Sequence, residues 1–271
     1  MSNVKENTVN KCETAPDKGF RMKYLNIGSC EFNKEGWLSL DKAQSCYSSR
    51  QTSIDINHDL MGFNPINLED NSLDIVYTSH TIEHISDKYV NYLFTEVYRT
   101  LKPGGVFRIT CPDIGKCYDA YKDNDKDYID KWLLNPLGWD FFRSKGICEE
   151  FLFIFATYLS PCFKNETGFK KYEEEEVSQI LTKYPKEAAL SFFTDICQQM
   201  AETLQTQYPG AHISWWDFDK LEKNLSGLGF SSIKRSEFDS SETSELVGFD
   251  SSNADNVKCL DYTLFLECKK S

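Results

Sequence analysis

The sequence predicts an α/β fold with a parallel sheet, because two short strands are joined by one helix. Leu73–Tyr77 and Val106–Cys111 are rich in β-branched and aromatic residues, as strands are. Between them, Ser86 can cap a helix with apolar residues at helical spacing, and Lys102–Gly105 ends this helix with a proline and two glycines. The apolar positions are Val90, Leu93, Phe94, Val97 and Leu101. Two strands connected in this way form a right-handed βαβ unit of a parallel sheet.

Polar side chains follow both predicted strands, at the edge where open parallel sheets bind ligands. They are Ser79, His80, Glu83, His84 and Asp113. Four of them also have a structural interpretation: Glu83 can hold the loop through hydrogen bonds to backbone, and Asp113 can cap the next helix. His80 and His84 can form a polar pair without a catalytic role. Their spacing would suit a metal pair on a helix, but no third ligand at a metal-site spacing is evident, so we predict no metal.

The segments SHTIEH, RTLKPGG and PD occur in this order within residues 79–113. This stretch resembles the region after the fourth strand of class I S-adenosylmethionine-dependent methyltransferases. Three upstream segments extend the resemblance: Tyr24–Cys30, Gly36–Asp41 and His58–Leu60. In the family these are the first strand with its cofactor loop, the second strand with its acidic end, and the segment after strand three. The resemblance is to type 11 methyltransferases of the kind found in bacterial surface-polysaccharide and specialised-metabolite pathways.

The resemblance implies a Rossmann-like, doubly wound, seven-stranded sheet that is mostly parallel, with an antiparallel last strand and a helical insertion after strand five. We predict four parts: a disordered lead at 1–20, an S-adenosylmethionine-binding core at 21–113, a helical acceptor-binding insertion or lid at 114–210, and the C-terminal part of the core sheet at 211–271. Residues 114–210 contain few β signals and many aromatic residues, most of which we expect to pack the insertion's own core.

The C-terminal part contains the remaining elements of the predicted sheet. Residues 212–230 resemble the family's final helix, and Ile233–Phe238 and Tyr262–Cys268 are the predicted last strands. Residues 239–256 are rich in Ser, Asp and Glu, which predicts a flexible surface loop between the two strands.

The resemblance assigns the cofactor site to Gly28, Ser29, Cys30, Asp41, Asp59, Leu60, Ser79 and His80. Gly28 permits the sharp turn that lets backbone approach a cofactor. Asp41 would accept hydrogen bonds from two ribose hydroxyls, and the family places Asp59 beside the adenine amino group with Leu60 against the ring. Cys30 stands where the family usually has a second glycine. No G-x-G-x-x-G follows the first strand, which argues against a nicotinamide enzyme.

Three histidines are the candidate catalytic residues: His84, His212 and His80. Methyl transfer is an in-line displacement at a sulfonium, and a hydroxyl acceptor would benefit from a general base. Histidine titrates near neutral pH, which suits this role. His84 is the first choice because its segment adjoins the expected methyl position. His212 is the second choice, since the end of the insertion returns it to the same edge.

Composition excludes several other classes of protein. The formal net charge of −12 and a pI of about 4.9 disfavour binding to nucleic acid, which requires a basic surface. The ten cysteines include no C-x-x-C pair and are typical of reduced thiols in a cytoplasmic protein. Residues 1–19 lack the apolar region of a secretory signal, and the longest apolar run, residues 151–159, is too short to span a bilayer. The oligomeric state stays open.

The sequence therefore predicts S-adenosylmethionine-dependent methyl transfer to a small or medium polar acceptor. The first choice of acceptor is an oxygen of a sugar or phosphate-linked group, including a phosphoramidate-type group, in surface-polysaccharide biosynthesis. Methylation of a small amine is the alternative reaction. A catalytically inactive S-adenosylmethionine-binding scaffold is the alternative from another class of protein, and a nicotinamide-dependent oxidoreductase is a third reading.

Overall fold

The structure is a computed structural model that describes residues 24–30, 34–43, 54–133, 174–204, 212–253, 256–257 and 259–271. The predicted lead at 1–20 and the apolar run at 151–159 lie outside these ranges. Within them, no helix is both long enough and apolar enough to cross a membrane.

The described strands form one mixed sheet in the order β3-β2-β1-β4-β5-β7-β6. Neighbouring strands are parallel except at β7, which runs antiparallel to both β5 and β6. The strands are β1 (Tyr24–Ile27), β2 (Trp37–Asp41), β3 (Ile56–Asn57), β4 (Leu73–Ser79), β5 (Leu101–Pro112), β6 (Phe230–Arg235) and β7 (Thr263–Lys270). This arrangement confirms the predicted doubly wound, Rossmann-like sheet of seven strands with an antiparallel last strand. The strand order reverses between β1 and β4, where such sheets bind their ligands.

The described helices are α1 (Asp87–Thr100), α2 (Ile114–Lys122), α3 (Lys126–Leu133), α4 (Glu174–Lys183), α5 (Lys186–Leu204) and α6 (Phe218–Leu228). Helices α2 to α5 belong to the predicted insertion, so its described parts are helical. Residues 134–173 and 205–211 of that insertion lie outside the described ranges.

Several element boundaries differ from the prediction. The final helix, predicted within residues 212–230, begins only at Phe218, because the side chain of Asp217 caps it there. Helix α1 ends at Thr100, one residue short of the last apolar residue predicted for it, and β5 begins at Leu101, where Val106 was expected. Leu101 pairs with Leu73 before an irregularity in register, which extends the strand backwards. Strand β6 begins at Phe230, where Ile233 was expected. Gly229 adopts φ 100° and ends α6, so the next residue can enter the sheet directly.

One face of the sheet is covered by residues that were predicted to form a flexible surface loop. Leu246 and Phe249 are fully buried and pack with Trp37, Tyr77 and neighbouring residues of the sheet. The prediction of a flexible loop at 239–256 is therefore wrong for its described residues. Their mostly polar composition gave no sign that Leu246 and Phe249 attach the segment to the sheet.

A buried ion pair fixes the same segment to the sheet. The Arg108 side chain on β5 is fully buried, and its Nε donates to Oδ1 of Asp250 over 3.0 Å. Its other nitrogens donate to Asp250, to Glu267 on β7 and to the main-chain oxygen of Glu237. A buried guanidinium requires such partners, because an unpaired buried charge is strongly destabilising. The acidic segment thus neutralises a charge inside the sheet.

Helices α2 to α5 contribute to a second hydrophobic core near the carboxyl ends of the central strands. Tyr118, Leu181 and Phe193 pack there with Trp215 and Tyr262 from the C-terminal part. Tyr118 therefore belongs to the core, as expected for an individual aromatic residue of the insertion. The insertion's predicted role as an acceptor-binding lid remains a prediction.

Candidate active site

The loop after β1 is held between the ends of β2 and β4. Gly28 adopts φ 70°, and the amides of Gly28 and Ser29 both donate to the main-chain oxygen of Leu40, over 2.9 and 3.3 Å. A β carbon on Gly28 would lie 2.1 Å from Oγ1 of Thr81, in the loop after β4. Only glycine fits both the backbone conformation and the space.

Asp41, at the end of β2, holds this loop with its carboxylate. Its Oδ2 accepts the amide of Cys30 over 2.8 Å, and its Oδ1 accepts the amide of Lys42 over 2.7 Å. Cys30 adopts φ 45°, in the region that glycine favours. Each carboxylate oxygen can accept more than one hydrogen bond, so Asp41 retains capacity for ribose hydroxyls.

Asp59 follows β3 and is linked to the same corner by Lys42. Its Oδ2 lies 2.7 Å from Nζ of Lys42, and its Oδ1 accepts the amide of Met61 over 2.9 Å. Burial opposes ionisation of Asp59, but the bonds from Lys42 and Met61 outweigh it and lower the pKa of the carboxyl. Leu60 is partly buried against the main core. Asp41 therefore contacts the loop that follows Gly28, and Lys42, the residue next to Asp41, connects it to Asp59.

Ser79 and His80, at the end of β4, have different surroundings. Oγ of Ser79 is buried, where it accepts from Thr110 over 2.7 Å and donates to Asn256 over 3.2 Å. Its side chain thus belongs to a buried network beneath the sheet. His80 adopts φ 45°, and its Nε2 lies 3.3 Å from Oγ1 of Thr263.

A short 3₁₀ turn, Ile82–His84, places Glu83 in the interior with 2% of its surface exposed. Nδ1 of His80 lies 3.3 Å and Nε2 of His84 lies 3.9 Å from Oε1 of Glu83. Neither contact has hydrogen-bond geometry, and neither carboxylate oxygen has a hydrogen-bond partner within the described part of the chain. The prediction that this carboxylate holds the loop through backbone hydrogen bonds is therefore wrong.

The main chain of Glu83 fixes the segment that carries His212. Its oxygen accepts the amides of Ile213 and Ser214 over 2.9 and 3.1 Å. As a result, the rings of His84 and His212 meet edge to face with their centroids 4.9 Å apart. Three of the chain's four histidines thus surround one buried carboxylate.

Electrostatics in this cluster keep Glu83 ionised and His212 neutral at neutral pH. Burial raises the pKa of Glu83, but the three surrounding histidines, His80 foremost, lower it more, to about 2. Loss of hydration and the neighbouring His84 lower the pKa of His212 to about 3, although Glu83 acts in the opposite direction. The cluster therefore presents an anionic oxygen and imidazole nitrogens side by side.

The structure brings the predicted catalytic residues His80, His84 and His212 together, whereas the side chain of Asp113 has other partners. Asp113 caps α2 by accepting the amide of Lys116 over 3.2 Å, and it pairs with Arg235. Its predicted capping role is confirmed. Sequence reasoning missed the central place of Glu83. The sequence signal for this role was the position of Glu83 next to His84. His212 is far away in the chain and joins the cluster only in the folded structure.

The strand order defines a Rossmann-like fold, and the comparisons with known proteins support S-adenosylmethionine as the cofactor. Residues 38–109 match the family described as methyltransferase domain. A curated relative, phosphoethanolamine N-methyltransferase 2 of Caenorhabditis elegans, is 31% identical over 135 residues. That alignment covers 47% of this chain and 29% of the relative, so the chain spans less than a third of the relative's length.

Several solved structures are similar at low sequence identity. An S-adenosylmethionine-dependent methyltransferase from Archaeoglobus fulgidus is 13% identical with a TM-score of 0.41, and covers 92% of this chain and 86% of its own. One from Mesorhizobium loti is 14% identical with a TM-score of 0.39, at 92% and 90% coverage. Phosphoethanolamine N-methyltransferase 2 of Haemonchus contortus, in complex with phosphomonomethylethanolamine and S-adenosylhomocysteine, is 13% identical with a TM-score of 0.38, at 92% and 48% coverage.

Proposed function

We propose that the chain transfers a methyl group from S-adenosylmethionine to a small or medium polar acceptor. The observation that carries this proposal is the corner where Gly28 meets the loop after β4, Asp41 holds the amide of Cys30, and Asp59 pairs with Lys42. It offers a tight glycine turn for the cofactor's amino-acid end and carboxylates for its ribose and adenine. These residues fit the cofactor, because Asp41 keeps acceptor capacity beyond its two backbone bonds.

The proposed chemistry needs alignment and, for a neutral acceptor, removal of a proton. A lone pair of the acceptor attacks the methyl carbon, the carbon–sulfur bond breaks, and its electrons remain on sulfur in S-adenosylhomocysteine. Holding both groups in line supplies much of the rate. His80, Glu83 and His84 lie on either side of Thr81 in the chain, and the side chain of Thr81 packs against Gly28 of the cofactor loop, while His212 packs on His84. This cluster is the set of groups that we propose to orient the acceptor and take up its proton.

Two kinds of acceptor remain candidates. The first is the oxygen acceptor predicted from the sequence, on a sugar or phosphate-linked group of a surface polysaccharide. The second is the nitrogen of a small amine, and a specific observation favours it: the 31% identical relative is named a phosphoethanolamine N-methyltransferase. The chain's cysteine usage and charge fit a cytoplasmic enzyme that acts on small molecules or glycan precursors.

Labelled S-adenosylmethionine tests the proposal directly. The chain is incubated with this cofactor and with two acceptor panels, one of phosphorylated small amines and one of sugar phosphates, and formation of S-adenosylhomocysteine is followed. We expect turnover that depends on one panel. Binding of the cofactor without turnover on either panel would favour the inactive scaffold. No binding of S-adenosylmethionine or S-adenosylhomocysteine would overturn the proposal, and binding of a nicotinamide cofactor would favour the oxidoreductase.

A further inference from the structure

We propose that Glu83, His84 and His212 form a binding site for one first-row divalent cation of the zinc type, next to the cofactor loop. The three residues offer one ligand atom each, and these atoms all lie within 4.8 Å of one another. The proposal goes beyond methyl transfer, because displacement at a sulfonium requires no metal.

The donor set selects the kind of cation. One carboxylate oxygen and two imidazole nitrogens are the ligands of zinc sites that keep an open coordination position. Iron(II), cobalt(II) and nickel(II) accept the same ligands, whereas magnesium and calcium prefer sites built from oxygen alone. A cation bound here would thus have three protein ligands and at least one position for water or another molecule.

An independent observation points to a ligand at this place: the buried carboxylate of Glu83 is unsatisfied. It is 2% exposed, and both of its oxygens lack hydrogen-bond partners within the described ranges. A buried polar group without a partner costs free energy, and a buried charge costs more. The contact with Nδ1 of His80, at 3.3 Å, lacks hydrogen-bond geometry. A cation on Oε1 or Oε2 would satisfy this carboxylate.

The main chain already fixes the three ligands relative to one another. Glu83 and His84 are consecutive residues of one 3₁₀ turn, and the oxygen of Glu83 binds the amides of Ile213 and Ser214, just after His212. Two ligand atoms on a tetrahedral cation lie about 3.4 Å apart when each bond is about 2.1 Å. The ligand atoms lie within 4.8 Å of one another, so binding of one cation would require them to move closer by up to about 1.4 Å.

The role of such a cation rests on the proposed methyl transfer, although its binding does not. An open coordination position would hold a hydroxyl or phosphate oxygen of the acceptor. A bound cation also lowers the pKa of a coordinated hydroxyl, so the acceptor could lose its proton without a histidine base. In that arrangement His84 is a metal ligand and not the general base.

Metal titration of the full chain tests the proposal without using methyl transfer. The chain is stripped with a chelator and titrated with Zn²⁺ by calorimetry, and with Co²⁺ by visible absorption. We expect one equivalent of each cation to bind. Since ten cysteines could compete for zinc, the Co²⁺ spectrum should lack a thiolate charge-transfer band. A stripped, folded chain that binds neither cation would overturn the proposal.

Variants locate the site. Glu83→Gln, His84→Gln and His212→Gln should each weaken Co²⁺ binding roughly tenfold or more, since each removes a ligand. His58→Gln is the matched control, because His58 is the histidine outside the cluster, and it should bind Co²⁺ like the wild type.

Retained binding of S-adenosylhomocysteine shows that each variant is folded. If His84→Gln and His212→Gln, both folded, bind Co²⁺ as tightly as the wild type, the assignment is wrong. If the chain binds the cation but shows no methyl transfer to either acceptor panel, the metal site is supported and the proposed function is contradicted.

Discussion

A β carbon on Gly28 would lie 2.1 Å from Oγ1 of Thr81, so the loops after β1 and β4 touch at a point where only glycine fits. The loop of Gly28 carries the backbone that would approach the cofactor. The loop of Thr81 leads directly into the histidine cluster. This contact therefore couples the candidate cofactor site to the candidate acceptor site.

We expect Gly28→Ala to weaken binding of S-adenosylhomocysteine by about 1–3 kcal/mol, because it adds backbone strain at φ 70° and a steric clash. Calorimetry measures the loss. Gly227→Ala, on α6, is the control: apart from its own helix and chain neighbours, no described atom lies within 4 Å of the β carbon, so affinity should not change and stability should rise by about 0.5–1 kcal/mol. Unchanged affinity in Gly28→Ala would show that the loop does not meet the cofactor.

Asp41→Asn should also weaken cofactor binding, by about 1–3 kcal/mol, since the amide carries no charge and offers a single acceptor oxygen. One oxygen can still hold the amide of Cys30, so the loop itself should survive. The measurement is the affinity for S-adenosylhomocysteine, with the exposed Asp261→Asn as the control. If Asp41→Asn and Asp261→Asn bind S-adenosylhomocysteine equally well, Asp41 does not contact the ribose.

Cys30→Gly should retain or improve cofactor affinity, because Cys30 adopts φ 45°, which glycine adopts without strain. The thiol should also lie near the bound cofactor. S-adenosylhomocysteine is therefore expected to slow its reaction with a thiol reagent, which mass spectrometry of the labelled peptide can follow. A rate that is the same with and without the ligand would contradict the assignment of this loop.

The sequence could predict the sheet because its signals are local. The strands near residues 73 and 106, the helix after Ser86 and the cap at Asp113 each depend on neighbours within a few positions, and the structure contains all of them. The prediction of a flexible loop at residues 239–256 was wrong because the contacts that hold this segment are not local. Their polarity suggested exposure, but Asp250 is the counter-charge of Arg108, which lies 142 positions away. Composition cannot show such a partner.

The candidate site shows the same limit. The four-residue spacing of His80 and His84 is visible in the sequence, and so is the carboxylate beside it. The contact between Glu83 and the segment of His212 depends on main-chain hydrogen bonds between elements that are far apart in the chain. A third ligand was therefore invisible at the level of spacing, although the sequence did place His212 at the same edge of the sheet.

Glu96 gives a prediction about stability and pH. Its buried carboxylate accepts from Arg99 and from the amide of Ile66 over 2.8 Å; burial opposes ionisation, but these contacts lower its pKa below the ordinary 4.5. A lowered pKa in the folded state stabilises the fold above the unfolded-state pKa, and this stabilisation is lost as the pH falls toward the folded-state value.

Glu96→Gln should therefore lower the free energy of unfolding at neutral pH by about 1–3 kcal/mol. The difference from the wild type should shrink below a pH of about 4.5, as Glu96 itself becomes protonated. Urea unfolding at several pH values measures both effects. Glu222→Gln, at an exposed position of α6, should change little at any pH. A difference that persists undiminished in acid would mean that the charge of Glu96 contributes nothing.

The last prediction concerns His84, whose ring meets that of His212 at 4.9 Å beside the buried carboxylate of Glu83. We expect His84→Asn to lower the turnover number by roughly 10²–10⁴-fold, the range for losing a group that handles the acceptor's proton. Affinity for S-adenosylmethionine should stay at the wild-type value, because the cofactor contacts that we propose lie at Gly28 and Asp41. The two measurements together separate a catalytic defect from a folding defect. Turnover near the wild-type rate in both His84→Asn and His212→Asn would exclude the cluster from catalysis. Methyl transfer would then depend on positioning an acceptor that is already nucleophilic.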